Sequence, residues 1–531
     1  MRKSILLLAA TSMALGLLTL SGCSKNKKDK YTSDGKLIVS ASNLYFAKYN
    51  RGDSYLEEVE KKFKIHFDFN TYDWAQWTTQ VNSSIQGLTM DDIFHANVDS
   101  YNFATTYKTW VEDDIIKPLP TDLSKWPNLK KMIDNTSNID SLKINGKLYG
   151  IPIAKDTTDY STSFSPFTYI YRRDWAKKWG VYQENDEYTW AQFEALLDKF
   201  KVELAGYNKY ALADVEWGFP SIPNFYKQVP HCFAQDSTGK YVNNYTTAEY
   251  CEGLTKSREF MSNGWYHPDQ HTAADGEMNK KYYGNQVGVF YENLSYSNYI
   301  TLREEIRRSN VETPDFNLDD ATAIMKIKGV DGKYALEGTD NWFSMTFFDE
   351  RISDNKMKLV LDVVDWLLSE EGTRFAIYGF ENYDYKIEGG EVKIIDAAWP
   401  KDNDGYIAEK DNGAKYLRYL VSLGYDTLSY DPLTQKDIVE YLNNWDSQMK
   451  TELANGNLKV LKETAEVMWL TTPKKSRFSG IMRSTALADV MKFVYKKEGL
   501  VTIDDFKATF KSSSSKWDEV LEEINTSLGK K

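Results

Sequence analysis

From Lys36 the chain alternates short β-rich runs with helical stretches, and this alternation restricts the fold more than any other feature of its 531 residues. Lys36-Leu37-Ile38-Val39-Ser40-Ala41 reads as a strand. Ser54 then opens a helix with Leu56, Val59 and Phe63 at helical spacing, and Lys64-Ile65-His66-Phe67-Asp68-Phe69 reads as a second strand. Two parallel strands need a crossover of a dozen or more residues, which a helix supplies, so these residues predict a βαβ unit. A further helix from about Trp74 to Ile85 leads into a third strand, Asp92-Ile93-Phe94-His95-Ala96. The expected architecture is a parallel sheet covered by helices, with ligand crevices beyond the strand C-termini.

A second unit follows. Asn145-Gly146 is a hairpin-type turn before Tyr149-Gly150-Ile151-Pro152, and Phe167 to Tyr171 forms the next β-rich run. Thr189 with Gln192 three residues on predicts a capped helix whose stripe is Phe193, Leu196, Leu197 and Phe200. Val287-Gly288-Val289-Phe290 reads as a buried strand. From Lys358 an amphipathic helix carries Leu359, Val363, Leu367 and Leu368, and the last hundred residues read as mostly helical. The formal net charge of −12 argues against a nucleic-acid partner, because phosphate binding needs a basic footprint. The chain also carries 15 Trp, 36 Tyr and 25 Phe, amphipathic rings that suit surfaces meeting sugars or peptides as well as ordinary cores.

At the N-terminus Arg2 and Lys3 precede an apolar run from Ile5 to Leu20, too short for a membrane span and shaped like a secretion signal. It ends in Leu20-Ser21-Gly22-Cys23, which resembles the lipobox of bacterial lipoproteins. That resemblance implies cleavage before Cys23 and lipidation of its thiol, with residues 24–33 as a flexible tether. The remaining cysteines, Cys232 and Cys251, are left open as a bridge or two thiols.

The lipobox, the run 145–152, Arg172-Arg173-Asp174-Trp175, residues 282–289, and Leu368-Ser369-Glu370-Glu371-Gly372 with Tyr378-Gly379 and Tyr383-Asp384-Tyr385 resemble the extracellular solute-binding lipoproteins of carbohydrate ABC transporters, in particular a large Gram-positive subgroup. Asp91-Asp92-Ile93 departs from that family's usual Pro-Asp-Ile. The Asp/Asn/Gly-rich loop that many members carry after the helix corresponding to residues 189–200 is missing, which speaks against a family-type calcium site. The resemblance implies an α/β, two-lobed periplasmic-binding-protein-like (type II, flytrap) fold with additional C-terminal helices. A signal peptide would occupy 1–22 and the lipidated tether 23–33. One lobe would take 34–155 with about 335–400, the other 156–330, and a mainly helical region 401–531 would pack on hinge and lobes, with crossings at 152–165 and about 324–348. Such a protein is not an enzyme. It sits as a monomer on the outer face of the cell membrane, held by its lipid alone, captures a carbohydrate by hinge closure and hands it to permease subunits. A cell-surface glycan hydrolase and a peptide- or metabolite-binding sensor on the same scaffold are the competing functions.

A sugar presents hydroxyls for polar contacts and C–H faces for aromatic rings, so a cleft should hold Trp or Tyr beside Asp, Glu or Asn on strand-end loops. Asn43 and Tyr45 follow the first strand and Asn97 and Asp99 the third, with turn chemistry and capping as the competing reading. Trp217 and Phe219 follow the β-like Tyr210-Ala211-Leu212, where lobe packing competes. Tyr291 and Glu292 come directly after the strand ending at Phe290. Asp340 and Trp342 sit by the second crossing, where a Trp floors the cleft or packs the hinge. Trp74 and Trp77, at a predicted helix start, read as core. No metal or cofactor is expected. His267 and His271 are separated by Pro268 and lack a third ligand, and Asp402-Asn403-Asp404-Gly405 lacks the full ligand ladder of a calcium loop.

Overall fold

The computed structural model describes residues 27–530 except 50–51, 98–102, 156–166, 205–208, 216–219, 230–232, 269, 275, 314–315, 402–409, 411, 424–435, 462–464, 496–501 and 513–515. Two five-stranded sheets organise the chain. The first contains β1 (Leu37–Asn43), β2 (Ile65–Thr71), β3 (Ile93–Ala96) and β4 (Gly150–Ala154). The second contains β5 (Phe167–Tyr171), β6 (Glu187–Thr189), β7 (Tyr210–Asp214), β8 (Val287–Asn293) and β9 (Ala323–Lys328). The chain then returns to the first sheet as β10 (Trp342–Phe348). The strand orders are β2-β1-β3-β10-β4 and β6-β9-β5-β8-β7.

The parallel sheet predicted from the βαβ pattern is present as β2-β1-β3, but β10 enters between β3 and β4 running against both. In the second sheet β5 alone opposes its neighbours. The cause is topological. β5 and β10 are the first strands after the chain crosses from one sheet to the other, so each starts at the edge where the remaining strands end. The C-termini of β1 to β4, and those of β6 to β9, therefore lie at the crossing edges, where ligand crevices of open α/β sheets form.

Local chemistry explains the elements. Asp53 caps the helix Ser54–Phe63 by accepting from Leu56 N at 2.8 Å. Thr189 and Gln192 form the predicted reciprocal cap of Trp190–Leu204, with Thr189 N donating to Gln192 Oε1 at 2.9 Å. Ser353 caps the long helix at Asp354, four residues before the start read from the sequence. Alternation sorts the second sheet's side chains: Tyr169 and Tyr171 join a core with Phe193 and Phe200, while Ile170 faces the opposite core with Phe290 and Tyr299.

The C-terminal region ties these units together. Leu458–Leu461 pairs in parallel with Tyr334–Glu337 on the return crossing, and Ala154 exchanges hydrogen bonds with Val421 and Leu423 at the end of β4. Helices Pro473–Val494 and Trp517–Ser527 share a core with Tyr245, Tyr250 and Leu254 of the second unit.

Gly288 marks a close approach of helix to sheet: a Cβ there would stand 2.2 Å from Phe200 Cδ2 and 2.6 Å from Cε2. Because Phe200 is fully buried and has no room to retreat, Gly288→Ala is expected to cost about 1–3 kcal/mol. Thermal unfolding followed by circular dichroism checks this, and an unchanged midpoint would contradict the close packing.

Candidate functional site

At the crossing edge of the first sheet, side chains from four separate segments form an aromatic ledge. Asn43 ends β1 and is buried; its Oδ1 accepts from Tyr45 N at 2.9 Å and its Nδ2 donates to Tyr419 O at 3.3 Å. Asn43 is thus the cap that sets the turn carrying Tyr45. The Tyr45 ring lies 4.8 Å from that of Tyr419 and 6.0 Å, edge to face, from that of Trp74. Trp74 follows β2 on a short 3-10 turn, and 60% of its surface is exposed, whereas its neighbour Trp77 is buried. The expectation that both belong to the core therefore holds for Trp77 and fails for Trp74. Trp77 donates its indole N–H to His95 O at 3.0 Å and packs behind Trp74 at 5.9 Å, while half-buried Phe343 flanks both tryptophans at 6.4 Å.

His95 lies under this ledge, fully buried on β3, with its ring 4.5 Å from Trp77 and 6.1 Å from Tyr45. Its Nε2 meets Ser344 Oγ at 2.5 Å, and its Nδ1 has no hydrogen-bond partner among the described residues. Burial pushes the imidazole down to about 3, so the ring is neutral at physiological pH. The ledge is thereby an uncharged set of π faces, one of which, Trp74, is open to solvent. Such a surface stacks on apolar C–H faces.

The crossing edge of the second sheet is built from buried polar groups. Tyr291 is buried against Tyr169 and Phe225, and its phenol donates to Glu337 Oε1 at 3.4 Å, which also accepts from Asn224 Nδ2 at 2.8 Å. Burial, reinforced by the Glu337 charge, holds this phenol well above its ordinary pKa. Glu292 is buried and accepts from Asn279 Nδ2 at 3.0 Å and from Asn293 N at 2.6 Å. Asp214 ends β7; its carboxylate accepts from Ser221 N at 3.0 Å, Ser221 Oγ at 2.8 Å and Tyr266 Oη at 2.8 Å, and burial pushes the acid up to about 6.

Asp340 and Trp342 sit where the chain re-enters the first sheet. Asp340 Oδ1 accepts from Ser137 Oγ at 3.0 Å and Asn138 Nδ2 at 2.8 Å. Trp342 is buried, donates its indole N–H to Ser137 O at 3.0 Å and packs on Trp469 at 6.0 Å. Asn97 is half-buried just beyond β3. Asp99, Trp217 and Phe219 lie outside the described residues, as do Cys23, Cys232 and residues 402–405. The structure thus brings Asn43 and Tyr45 together at the ledge and adds Trp74, Phe343 and Tyr419, which the sequence reading missed. Trp74 had a usable signal, since it follows β2 as Tyr45 follows β1. Tyr419 had none, being supplied by a segment more than three hundred residues away.

Among the described residues no cluster of three metal-ligating side chains occurs; His267 packs on Tyr210 at 4.5 Å and His271 stacks on Tyr495 at 3.9 Å. Cys251 is buried and donates to Tyr245 O at 3.5 Å, burial pushing its thiol up to about 11.

No protein-family model matches the chain, and no curated protein matches it in sequence. Solved structures do. An extracellular solute-binding protein from Bifidobacterium longum subsp. infantis superposes with a TM-score of 0.66 at 14% identity, covering 94% of this chain and 99% of that one. The alginate-binding protein AlgQ2 gives 0.62 at 13%, covering 94% and 99%. The Streptococcus pneumoniae ABC-transporter substrate-binding protein FusA, in complex with kestose, gives 0.61 at 14%, covering 93% and 99%. The fold is that of extracellular solute-binding proteins. In this solute-binding fold the two sheets belong to two lobes, as the resemblance in the sequence implied.

The neutral His95 beneath the ledge has a pH signature. Its folded pKa lies below the unfolded value, so its contribution to stability is fully present above about pH 6.5 and is lost as pH falls toward 3. This one group is expected to remove about 2 kcal/mol between pH 7 and pH 5. Urea unfolding of the wild type and His95→Gln at both pH values measures it as the difference between the two pH dependences; equal slopes would contradict it.

Proposed function

We propose that this chain is a lipid-anchored extracellular receptor that captures a carbohydrate, specifically an oligosaccharide, by closure of its two lobes and delivers it to the permease of an ABC importer. The observation that carries the reading is the solvent-open face of Trp74 in an uncharged aromatic ledge at the crossing edge of the first sheet. A pyranose or furanose ring has C–H faces that stack on such a surface, and a chain of sugars can extend from Trp74 toward Tyr45 and Tyr419. The similar structures whose names state a ligand support the same class, being an alginate-binding protein and a substrate-binding protein in complex with kestose. These are binding proteins, and in this reading no bond in the sugar is broken.

One lobe comprises 34–155 with about 335–400, the other 156–330, and 401–531 packs across them. Asn97, Asp99, Trp217, Phe219, Tyr291, Glu292, Asp340 and Trp342 belong with Tyr45 among the groups that meet or shape the ligand, Tyr291 and Asp340 mainly by fixing their surroundings. Cys23 carries the lipid. Among the described residues no helix is long and apolar enough to cross a membrane.

Calorimetric titration of residues 24–531 against a panel of oligosaccharides, with peptides and amino acids as controls, tests the reading. Saturable binding of an intact sugar is expected, and Trp74→Ala should weaken it about ten- to a hundredfold, the loss of one stacked aromatic face, without lowering the unfolding midpoint. Binding of a peptide with no sugar response would overturn the carbohydrate assignment, and hydrolysis products would overturn the receptor. Small-angle X-ray scattering adds a second expectation: the bound sugar should reduce the radius of gyration, and an unchanged radius would count against closure.

A further inference from the structure

Residues 419–423 bring Tyr419 to the ledge from far along the chain and belong to neither five-stranded sheet, yet three strands of the first sheet hold them. At the end of β1 the Asn43 amide donates to Tyr419 O at 3.3 Å, and in β10 the Thr346 hydroxyl donates to Leu420 O at 2.8 Å. At the end of β4, Ala154 N donates to Val421 O at 2.9 Å and Leu423 N donates to Ala154 O at 2.8 Å. Because β1, β3, β10 and β4 are successive neighbours, these bonds describe one bar laid across the sheet from the ledge to the β4 edge. Buried Arg418 braces it from behind, with Nη1 donating to Ser422 Oγ at 3.2 Å and Nε to Leu367 O at 3.3 Å.

The sequence of β10 is Trp342-Phe343-Ser344-Met345-Thr346-Phe347-Phe348, and its two hydroxyls are buried in a strand that is otherwise apolar. A buried hydroxyl costs free energy unless it is bonded. Ser344 meets His95 beneath the ledge, and Thr346 holds the bar. Tyr419 and Leu420 stand just past the helix Gly413–Arg418, so the sheet's side chains bond carbonyls there that the helix does not. The half-buried Tyr419 ring packs on Tyr45 at 4.8 Å and on Tyr416 at 6.0 Å, so a shift of the bar changes how it meets Tyr45. We propose that Thr346 and Asn43 are positioning residues of the ledge: without touching the ligand they pin the bar and hold the Tyr419 ring in the attitude that stacks on a sugar. The inference rests on the reading of the ledge as a sugar platform and adds to it the buried groups that set its shape. A ring held in its bound attitude beforehand removes part of the ordering cost of binding, and that is the contribution assigned to these two side chains.

Thr346→Val keeps the side-chain shape and removes the hydroxyl, whereas Thr346→Ser keeps the hydroxyl. A meta-fluorotyrosine installed at position 419 gives a fluorine NMR signal that reports on the ring with or without ligand, and calorimetric titration with kestose, maltotriose and chitotriose reads affinity. Thr346→Val is expected to shift the 419 signal and to weaken binding of the sugar that the wild type takes by about three- to tenfold, the loss of one hydrogen bond. Thr346→Ser should stay near the wild type in both. Asn43→Ser, which keeps an oxygen to cap Tyr45 N but no donor that reaches Tyr419 O, should act in the same direction as Thr346→Val and replaces it if that variant does not fold. In a Tyr419→Leu background Thr346→Val should cost little further affinity. A Thr346→Val protein that melts lower yet keeps both the 419 signal and the affinity would overturn the proposal, because a purely structural hydroxyl gives that result. An equal loss of affinity in the Tyr419→Leu background would overturn it as well. If none of the three sugars binds the wild type while the 419 signal still moves with Thr346→Val, the sugar reading of the ledge fails and the placement of the ring by Thr346 is upheld.

Discussion

Two chain crossings between two sheets impose the constraint from which the rest of the molecule follows. A strand that arrives from the other sheet must start at the edge where its neighbours end, so β5 and β10 run against their sheets and all other main-sheet strands deliver their C-termini to the crossing edges. The described segments that follow β1 and β2 therefore leave from the crossing edge. Tyr45 and Trp74 come together for this reason, although nothing in their local sequences relates them. The same rule puts the strand starts and the buried charges at the rear.

Those charges show how the rear edge is specified. Asp92 pairs with Lys356 at 2.7 Å and accepts from Ser40 N at 3.1 Å, while Asp349 is gripped by Arg351 through two bonds of 3.0 and 2.7 Å. Burial alone would raise the Asp349 carboxyl, yet hydrogen bonds from Arg351 and Lys27 hold it below its usual range. Buried ion pairs add little net stability, because desolvation offsets much of the Coulomb attraction. What they supply here is register: removing one partner strands a charge, so the arrangement that joins Lys27, β3 and β10 at this edge is the one that pairs all five charges, Asp92 Oδ1 through the 3.4 Å ion pair with Lys27.

Much of the fold was legible in the sequence because it rests on local patterns. The βαβ period of residues 36–96, the Thr189 cap and the Asn145-Gly146 turn each depend on side chains a few positions apart, and each is found, with Asn145 and Gly146 both at positive φ. The reversal of β10 was not legible, since a strand's direction is set by where the chain comes from and not by its alternation. The site was legible only in part for a related reason. Asn43 and Tyr45 could be placed from strand-end position, but Trp74 at a helix start resembles Trp77 in sequence, and one is exposed while the other is buried because only Trp77 faces His95 and β3. Tyr419 and Trp469 arrive from the C-terminal region, where no local pattern announces a neighbour in the first sheet.

The distribution of groups also bears on how closure could be driven. A ligand shifts an equilibrium between open and closed forms only by its difference in affinity for them, and inverting a 1:99 population requires about 10⁴-fold preference. The ledge belongs wholly to the first sheet and its C-terminal flank, so on its own it would hold a sugar equally well in both forms. In the proposed reading the difference comes from the second sheet's edge, where Tyr291, Asp214 and Glu337 are already locked by buried hydrogen bonds and lose little further freedom on meeting a ligand. Helix Pro473–Val494 shares an extensive core with that second unit, and it reaches the first through the Ser476 and Thr105 hydroxyls at 2.8 Å, while Trp469, four residues before the helix, packs on Trp342 at 6.0 Å. A broad apolar interface resists shear far more than a ring pair and a hydroxyl pair do, so in the proposed reading the C-terminal helices travel with the second sheet, and closure would be absorbed at the contacts of Trp342 and Thr105.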